Sequence, residues 1–253
     1  MKLQELLDRT SLKATGRDIG LDVQMVEGCL MCKPLNPDDP RYNTDFILPS
    51  MRMVEACRAD AFDFFQPFIA AGKLTEEQMH RASERYRLGK TKSGQPIFWM
   101  IDDMLMPLDA RIGNVWISTL LKRREPLLRY WCPTHCLFGQ HLLSSYLKSV
   151  AIVESEASAV VLSELFPESI WMAYATTSHL TPKLFAPLEG RPVTFYPRTD
   201  PTLSTYLFFE QLADLTRRQY DINLAVDSTL EDYATASQKE RCVDILEFLT
   251  DNM

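Results

Sequence analysis

Short apolar runs alternate with amphipathic stretches along the second half of the chain. Three runs of strand length read "VAIV" (150–153), "SIWMAYA" (169–175) and "PVTFYP" (192–197), and "DINLAV" (221–226) is a fourth. The stretches between them carry apolar residues at helical spacing, and a helix over 237–251 is expected to close the chain. Strands that alternate with helices typically form a parallel sheet with helices on its faces. This half of the chain is therefore predicted to be an α/β domain.

The first half of the chain has a less regular pattern. Residues 1–58 are predicted to be irregular, and residues 59–148 to hold helices and strands. We therefore predict an α+β region over 1–148 and the α/β domain over 149–253. The boundary is placed where the pattern changes, since neither a repeat nor a low-complexity linker marks it.

Local signals add detail before the α/β domain. A helix is expected over 59–73, and Thr75 with Gln78 forms a capping box for a second helix that runs to about Arg85. The stretch "GKTKSGQPIF" is typical of two strands around a Ser-Gly turn, and "GNVWISTLLKRR" of a strand with a helical turn.

Composition narrows the class of protein. The chain has 253 residues, of which 46% are hydrophobic and 24% charged, as in an ordinary globular protein. Its apolar runs are too short for a spanning helix, and its N-terminus lacks the features of a signal peptide, so we expect a cytoplasmic protein without membrane contact. The net charge of −7 opposes the approach of phosphate, so any nucleic-acid site has to be a local basic patch.

Acidic residues follow two of the predicted strands. Glu154 comes directly after "VAIV", and Asp200 comes shortly after "PVTFYP". Because parallel strands end at the same side of a sheet, we expect these carboxylates to lie close together, where their oxygens would suit Mg²⁺. An acid after a strand can instead cap the helix that follows, and this alternative stays open.

Several segments together resemble the toprim domain, and in particular the primase-like toprim proteins of bacterial mobile elements. They read "HCLFGQHLL", "VAIVESEASAVVLSELFP", "SIWMAYATTSHL" and "LFAPLEGRPVTFYPRTDP". With the upstream "RYRLGKTKSGQPIFWMID" and "GNVWISTLLKRR", the resemblance covers about residues 80–217. It implies a small α/β domain in which one glutamate and an Asp-x-Asp pair hold Mg²⁺, with the glutamate as general acid/base in phosphodiester chemistry.

Carried onto this chain, the resemblance makes Glu154 the catalytic glutamate and Asp200 the second aspartate, with Glu156 as a further candidate metal ligand. The chain also departs from the family pattern. Arg198 stands where the first aspartate is expected, and "ATTSHL" replaces a Gly-Gly turn. A guanidinium cannot ligate a metal, and one unit-charge interaction at ~4 Å is worth about 4 kcal/mol at an effective dielectric near 20. We therefore predict that Arg198 pairs with Glu154 or Asp200 in place of a metal.

Cysteine and histidine offer weaker signals. Cys29 and Cys32 form a C-x-x-C, and Cys132 and Cys136 lie about a hundred residues further on, so that the four could hold a structural zinc. The alternative is a purely structural role, in which "CLMC" is a buried apolar patch of reduced thiols. The lone histidines, such as His141, are expected to be structural.

One basic run could contact nucleic acid. "LLKRREPLLRYW" places Lys122, Arg123 and Arg124 near aromatic residues, a mixture that can follow a phosphate backbone while stacking on bases. The alternative is a solvated helix face over buried leucines.

Three functions follow from these observations. The first is a non-catalytic toprim-like module that associates with nucleic acid or with replication or mobilisation proteins. The second is an active Mg²⁺-dependent nucleotidyl-transfer or nuclease enzyme whose missing carboxylate comes from Glu156 or Asp227. The third is a protein-interaction scaffold, which an exposed apolar patch would favour.

Overall fold

The fold is described from a computed structural model, for residues 21–26, 29–34, 46–47, 49–124 and 135–251. Its strands are β1 (Leu21–Val26), β2 (Cys29–Pro34), β3 (Phe46–Ile47), β4 (Gly89–Lys90), β5 (Pro96–Ile101), β6 (Pro107–Ile112), β7 (Val115–Trp116), β8 (Val150–Val153), β9 (Ile170–Ala173), β10 (Pro192–Phe195) and β11 (Asn223–Val226). Its α-helices are α1 (Met51–Ala56), α2 (Gln66–Ala70), α3 (Glu76–Arg85), α4 (Ile117–Arg124), α5 (Glu156–Leu165), α6 (Ser204–Gln219), α7 (Thr229–Tyr233), α8 (Ala236–Glu240) and α9 (Ile245–Asp251). Short 3₁₀ segments are Asp63–Phe65, Gln140–Ser144, Thr177–His179 and Pro182–Leu188.

The chain forms two compact units that interleave in sequence. The N-terminal unit takes Met1–Arg58, Arg87–Met100 and Met106–Thr134. The C-terminal unit takes Ala59–Tyr86, Ile101–Leu105 and His135–Met253. This division differs from the single boundary predicted at residue 148, because segments well before that point belong to the C-terminal unit.

A four-stranded parallel sheet forms the centre of the C-terminal unit, in the order β11-β10-β8-β9. All residues of β8 and β9 are buried, as expected for strands covered on both faces. The helix α5 connects β8 to β9, and α6 connects β10 to β11. The predicted α/β architecture, a parallel sheet flanked by helices, is therefore confirmed for this part of the chain.

The helix α3 belongs to the same unit as the parallel sheet. Its capping box is present as predicted, since the Thr75 side chain accepts from Gln78 N and the Gln78 side chain accepts from Thr75 N. At its other end, Arg81 and Arg85 each bind Glu164 of α5, at 2.5 Å. This ion-paired cluster fastens α3 to the sheet unit across some eighty residues of sequence.

Antiparallel strands characterise the N-terminal unit. The order of one sheet is β4-β5-β6-β7, and its β4–β5 turn contains Gly94 at φ 86°, in agreement with the predicted Ser-Gly turn. A second sheet has the order β1-β2-β3. The strands β1 and β2 lie in a region predicted to be irregular, and that prediction is wrong for these segments. The alternation of apolar Leu21, Val23 and Met25 with polar residues was the available signal.

The end of the chain also differs from the prediction. A single helix was expected over 237–251, whereas the structure has α8 and α9 with Cys242 between them at φ 53°. Each short helix has its own cap. Thr235 begins α8 with a capping box, and Asp244 accepts from Glu247 N at 2.8 Å where α9 begins. Two competing start signals within ten residues explain the break.

Candidate functional site

The carboxyl end of the parallel sheet collects the residues that the sequence pointed to. Glu154 directly follows β8, Tyr174 directly follows β9, and Arg198 follows β10 after two residues. Because these three strands are parallel neighbours, their following residues meet at one end of the sheet. We call Glu154, Tyr174 and Arg198 the carboxyl-end cluster.

Glu154 and Arg198 form the ion pair that the sequence predicted. Arg198 Nε lies 3.1 Å from Glu154 Oε2. The glutamate side chain is 27% exposed and the arginine side chain 46% exposed, so water still reaches both groups. A carboxylate engaged in this way is a poor ligand for a divalent cation, since the neighbouring guanidinium repels the ion.

Tyr174 is the buried member of the carboxyl-end cluster. The residue is 5% exposed, and no described group meets the distance and angle of a hydrogen bond to its hydroxyl. Burial raises the pKa of Tyr174 well above its usual value, and the nearby Glu154 carboxylate raises the pKa further. The phenol is therefore held in its neutral form next to the Glu154–Arg198 pair.

The backbone beside Tyr174 carries strain. Ala175 has φ 62°, in the left-handed region, and its N–H donates to the Glu154 carbonyl at 3.1 Å. Left-handed backbone costs an L-residue about 1–2 kcal/mol relative to glycine. This is the position where the toprim resemblance leads one to expect glycine, so the turn keeps a glycine-like shape with an alanine in it.

Asp200 lies outside the carboxyl-end cluster and binds the start of a helix. Its Oδ1 accepts hydrogen bonds from Thr202 N at 2.7 Å and Ser204 N at 3.2 Å, and its Oδ2 accepts from Thr205 N at 2.7 Å. Burial alone would raise the pKa of Asp200, but the hydrogen bonds from Thr202 and Thr205 outweigh it and hold the pKa well below its usual range. The carboxylate caps the first turn of α6, which is the alternative left open from the sequence.

Two further carboxylates were candidates to complete a metal site. Glu156 begins α5 and is 6% exposed, and Asp227 Oδ1 accepts from Thr229 N at 2.9 Å. Within the described ranges, His, Cys, Asp and Glu side chains do not come together in a group of three that could hold a metal ion. The residues at this end of the sheet therefore do not fit the Mg²⁺ arrangement that the toprim resemblance implies.

Most of the predicted zinc ligands have side chains outside the described part of the structure. Cys29 and Cys32 lie on β2 of the N-terminal unit, with side chains outside the described part of the structure. Cys132 is also outside the described residues, and Cys136 is a half-buried residue of the C-terminal unit. The zinc site stays a prediction. His141 is buried, and its Nε2 lies 3.1 Å from the Arg85 carbonyl, as expected for a structural histidine.

The predicted nucleic-acid contacts lie on α4 in the N-terminal unit. Arg123 is exposed, and the side chains of Lys122 and Arg124 are outside the described part of the structure. The rest of the basic run, from residue 125 to 131, is likewise not described.

Sequence reasoning missed Tyr174 and a hydrogen bond between α5 and α9. Tyr174 stood at the end of a predicted strand, so its position was a usable signal. Asp244 accepts from Ser158 Oγ at 2.6 Å, which joins α5 to the start of α9. These partners are 86 residues apart, and no local pattern indicates such a pair.

None of the helices in the described ranges has the length and apolar character needed to cross a membrane.

Comparison with curated proteins and with solved structures finds no match for the sequence. Comparison with protein families finds one, a domain of unknown function, DUF6371, over residues 63–199. The matched segment includes Glu154, Tyr174 and Arg198 and spans more than half of the chain. The chain therefore belongs to the DUF6371 family.

Proposed function

We propose that this protein is a non-catalytic toprim-like module of mobile-element origin, which works in the cytoplasm by associating with nucleic acid or with replication proteins. The observation that carries the proposal is the Glu154–Arg198 ion pair at 3.1 Å. It occupies the carboxylate that toprim-type phosphodiester chemistry would need for its metal and its proton transfer. A glutamate following the first strand of a parallel sheet is the feature that supports a toprim-like arrangement.

The competing function is an active Mg²⁺-dependent nucleotidyl-transfer or nuclease enzyme. It requires carboxylate oxygens that are free to bind the ion. Asp200 already accepts five hydrogen bonds, from Thr202, Ser204 and Thr205. Glu154 faces a cation instead of a second acid. This arrangement favours the non-catalytic function.

A titration of Mn²⁺ and Mg²⁺ tests the proposal by restoring the missing acid. Arg198→Asp would recreate the Asp-x-Asp pattern and free Glu154. Calorimetry measures the binding. We expect no saturable binding of either ion by the unaltered protein and measurable Mn²⁺ binding by Arg198→Asp. The added Glu154→Gln change should abolish the gained binding.

Arg218→Asp is the matched control, because Arg218 is an exposed arginine of α6 in the same unit. It adds the same charge change without a carboxylate in the carboxyl-end cluster. Saturable Mg²⁺ binding by the unaltered protein that Glu154→Gln removes would contradict the proposal and favour the enzyme.

Association with nucleic acid is tested separately, by fluorescence anisotropy with short single-stranded DNA and RNA. We expect binding that weakens steeply with added salt, because contacts to phosphates release counterions. Arg123→Glu should weaken it several-fold, whereas Arg218→Glu should leave it nearly unchanged. Equal effects of the two variants would show that only overall charge matters and that α4 is not the contact.

A second candidate function, a protein-interaction scaffold, has its own observation. Three apolar side chains are exposed along α6, with Leu207 at 50%, Phe208 at 41% and Leu215 at 49%. Apolar residues grouped on one helix are more typical of a protein-binding surface than of a solvated one. Absence of nucleic-acid binding in the anisotropy experiment would move the assignment to this function.

A further inference from the structure

A cleft lies at the amino end of the parallel sheet, opposite to the carboxyl-end cluster. Its volume is about 280 Å³, part of which is open to solvent. Lys148 precedes β8, Ser169 precedes β9, and Arg85 is the last residue of α3. These side chains line the cleft together with Tyr146 and Ser163. All of them belong to the C-terminal unit.

The charge of the cleft is opposite to that of the whole protein. Its lining contains the cations Arg85 and Lys148 and no aspartate or glutamate, although the chain has a net charge of −7. Glu164 lies behind Arg85 with its side chain 2% exposed, and it shares its charge between Arg85 and Arg81. Cations gathered on one surface of an acidic protein form a local field that attracts anions.

The ammonium group of Lys148 is positioned by two contacts and still has N–H groups that could bind a ligand. Its Nζ donates to the Pro167 carbonyl at 2.5 Å and lies 5.6 Å from the centre of the Tyr146 ring. An ammonium group has three N–H bonds, and the hydrogen bond to Pro167 uses one of them. The other two are left for a ligand, and the contacts to Pro167 and Tyr146 reduce the entropy lost when one binds.

Arg85 has the same property. Its Nη2 donates to Ser163 Oγ at 2.8 Å and to Glu164 Oε1 at 2.5 Å. Among the described residues, neither its Nη1 nor its Nε has a hydrogen-bond acceptor. A guanidinium fixed through one nitrogen presents the remaining N–H groups in a planar fork, which suits the oxygens of phosphate.

We propose that this amino-end cleft binds a phosphate group, either free or at the end of a small molecule or nucleic-acid strand. Two cations with N–H groups left over match the acceptor oxygens of a phosphate, and the Ser169 hydroxyl, which lies 3.0 Å from Ser149 Oγ, faces the same cleft. The cleft is open to solvent, so the rest of a larger ligand would lie outside it. The inference does not depend on the toprim-like assignment.

Calorimetric titration with inorganic phosphate tests this inference, with chloride at equal ionic strength as the reference. Lys148→Ala should weaken phosphate binding by about tenfold or more, the usual effect of losing a charge-assisted hydrogen bond. Lys183→Ala is the control, since Lys183 is an exposed lysine of the same unit outside the cleft. Circular dichroism verifies that each variant is folded.

Backbone amide resonances locate the ligand independently of any variant. Phosphate should shift the amides of Ser169 and Ile170 and leave those of the carboxyl-end cluster in place. A 5′-phosphorylated oligonucleotide that binds more tightly than its 5′-hydroxyl form would identify a strand end as the source, and binding of free phosphate alone would identify a small molecule.

The inference is overturned by any of three results. They are equal affinity of Lys148→Ala and the unaltered protein, shifts centred on Glu154, and failure of all the phosphate probes to bind. Equal binding of both oligonucleotides with no binding of phosphate would overturn it too, because recognition would then rest on the strand and not on its terminal phosphate.

Discussion

The two ends of the parallel sheet differ in how completely their charged side chains are paired. At the carboxyl end, Glu154 and Arg198 neutralise each other across 3.1 Å, and the hydrogen-bonding capacity of Asp200 is filled by the cap of α6. At the amino end, the buried Glu164 neutralises only part of the charge of Arg81 and Arg85, and Lys148 adds another cation. At one end the charged groups are paired with each other, and at the other end N–H donors remain.

Ligands of open α/β sheets usually bind at the carboxyl ends of the strands. The DUF6371 chain has the residues for such a site and pairs them with each other. The fold therefore determines where a binding site can form. Whether a ligand can bind there depends on how the charged side chains are already paired. The predictions below test how much a buried carboxylate at each end, Glu164 and Asp200, contributes to stability.

The largest effect is expected at the amino end, for Glu164→Gln. The carboxylate accepts from Arg81 through Oε2 and from Arg85 through Oε1. An amide has one oxygen and one NH₂ group, so one guanidinium would face a donor instead of an acceptor. The side chains of Arg81 and Arg85 are 56% and 22% exposed, so water solvates part of the guanidinium that loses its acceptor, and we expect the free energy of unfolding to fall by about 2 kcal/mol. Urea denaturation measures it.

Glu168→Gln supplies the control, because Glu168 is exposed three residues after the end of α5. Surface substitutions of this kind usually change stability by less than about 0.5 kcal/mol. Equal stability of the two variants would show that the Glu164 cluster contributes nothing that its burial indicates. The comparison between the two ends would then lose its energetic basis.

The elements that the sequence predicted correctly have short-range causes. The capping box of Thr75 and Gln78 and the turn at Gly94 each depend on residues within four positions of each other. The parallel sheet was predictable because its strands are short, mainly apolar runs that alternate with amphipathic stretches. The split at Cys242 was missed since two helix starts, at Thr235 and at Asp244, compete within one amphipathic stretch.

In the candidate site, too, some features were predictable from the sequence and others depend on contacts between residues far apart in it. The pairing of Arg198 with Glu154 followed from charge and from the meeting of parallel strand ends. The amino-end cleft had no local signal, because Arg85 and Glu164 are 79 residues apart and pair only once α3 packs on α5. Whether Asp200 would ligate or cap could not be decided, since both roles need a carboxylate at that position and only the orientation of the Thr202–Thr205 amides decides.

A smaller effect is expected at the carboxyl end, for Asp200→Asn. The folded-state pKa of Asp200 lies well below its usual value of 3.8, because hydrogen bonds from Thr202 and Thr205 more than offset burial. A depressed pKa stabilises the folded state in full above the unfolded pKa, and this contribution is lost progressively as the pH falls from the unfolded pKa through the folded pKa. The asparagine amide cannot accept both sets of bonds, so we expect a loss of about 1 kcal/mol near neutral pH.

The pH dependence distinguishes this mechanism from a plain packing defect. The stability difference between the unaltered protein and Asp200→Asn should be largest near neutral pH and should shrink as the pH falls below about 3.8, because the unfolded chain then takes up a proton at this aspartate while the folded chain still keeps it ionised. Urea denaturation in both pH ranges measures it, and Asp221→Asn, an exposed acid of the same unit, serves as the control. A difference that stays constant with pH would mean that the charge of Asp200 is not what holds the first turn of α6. Asp200 would then stabilise the fold through packing alone, and charge at the carboxyl end of the sheet would contribute less than its hydrogen bonds indicate.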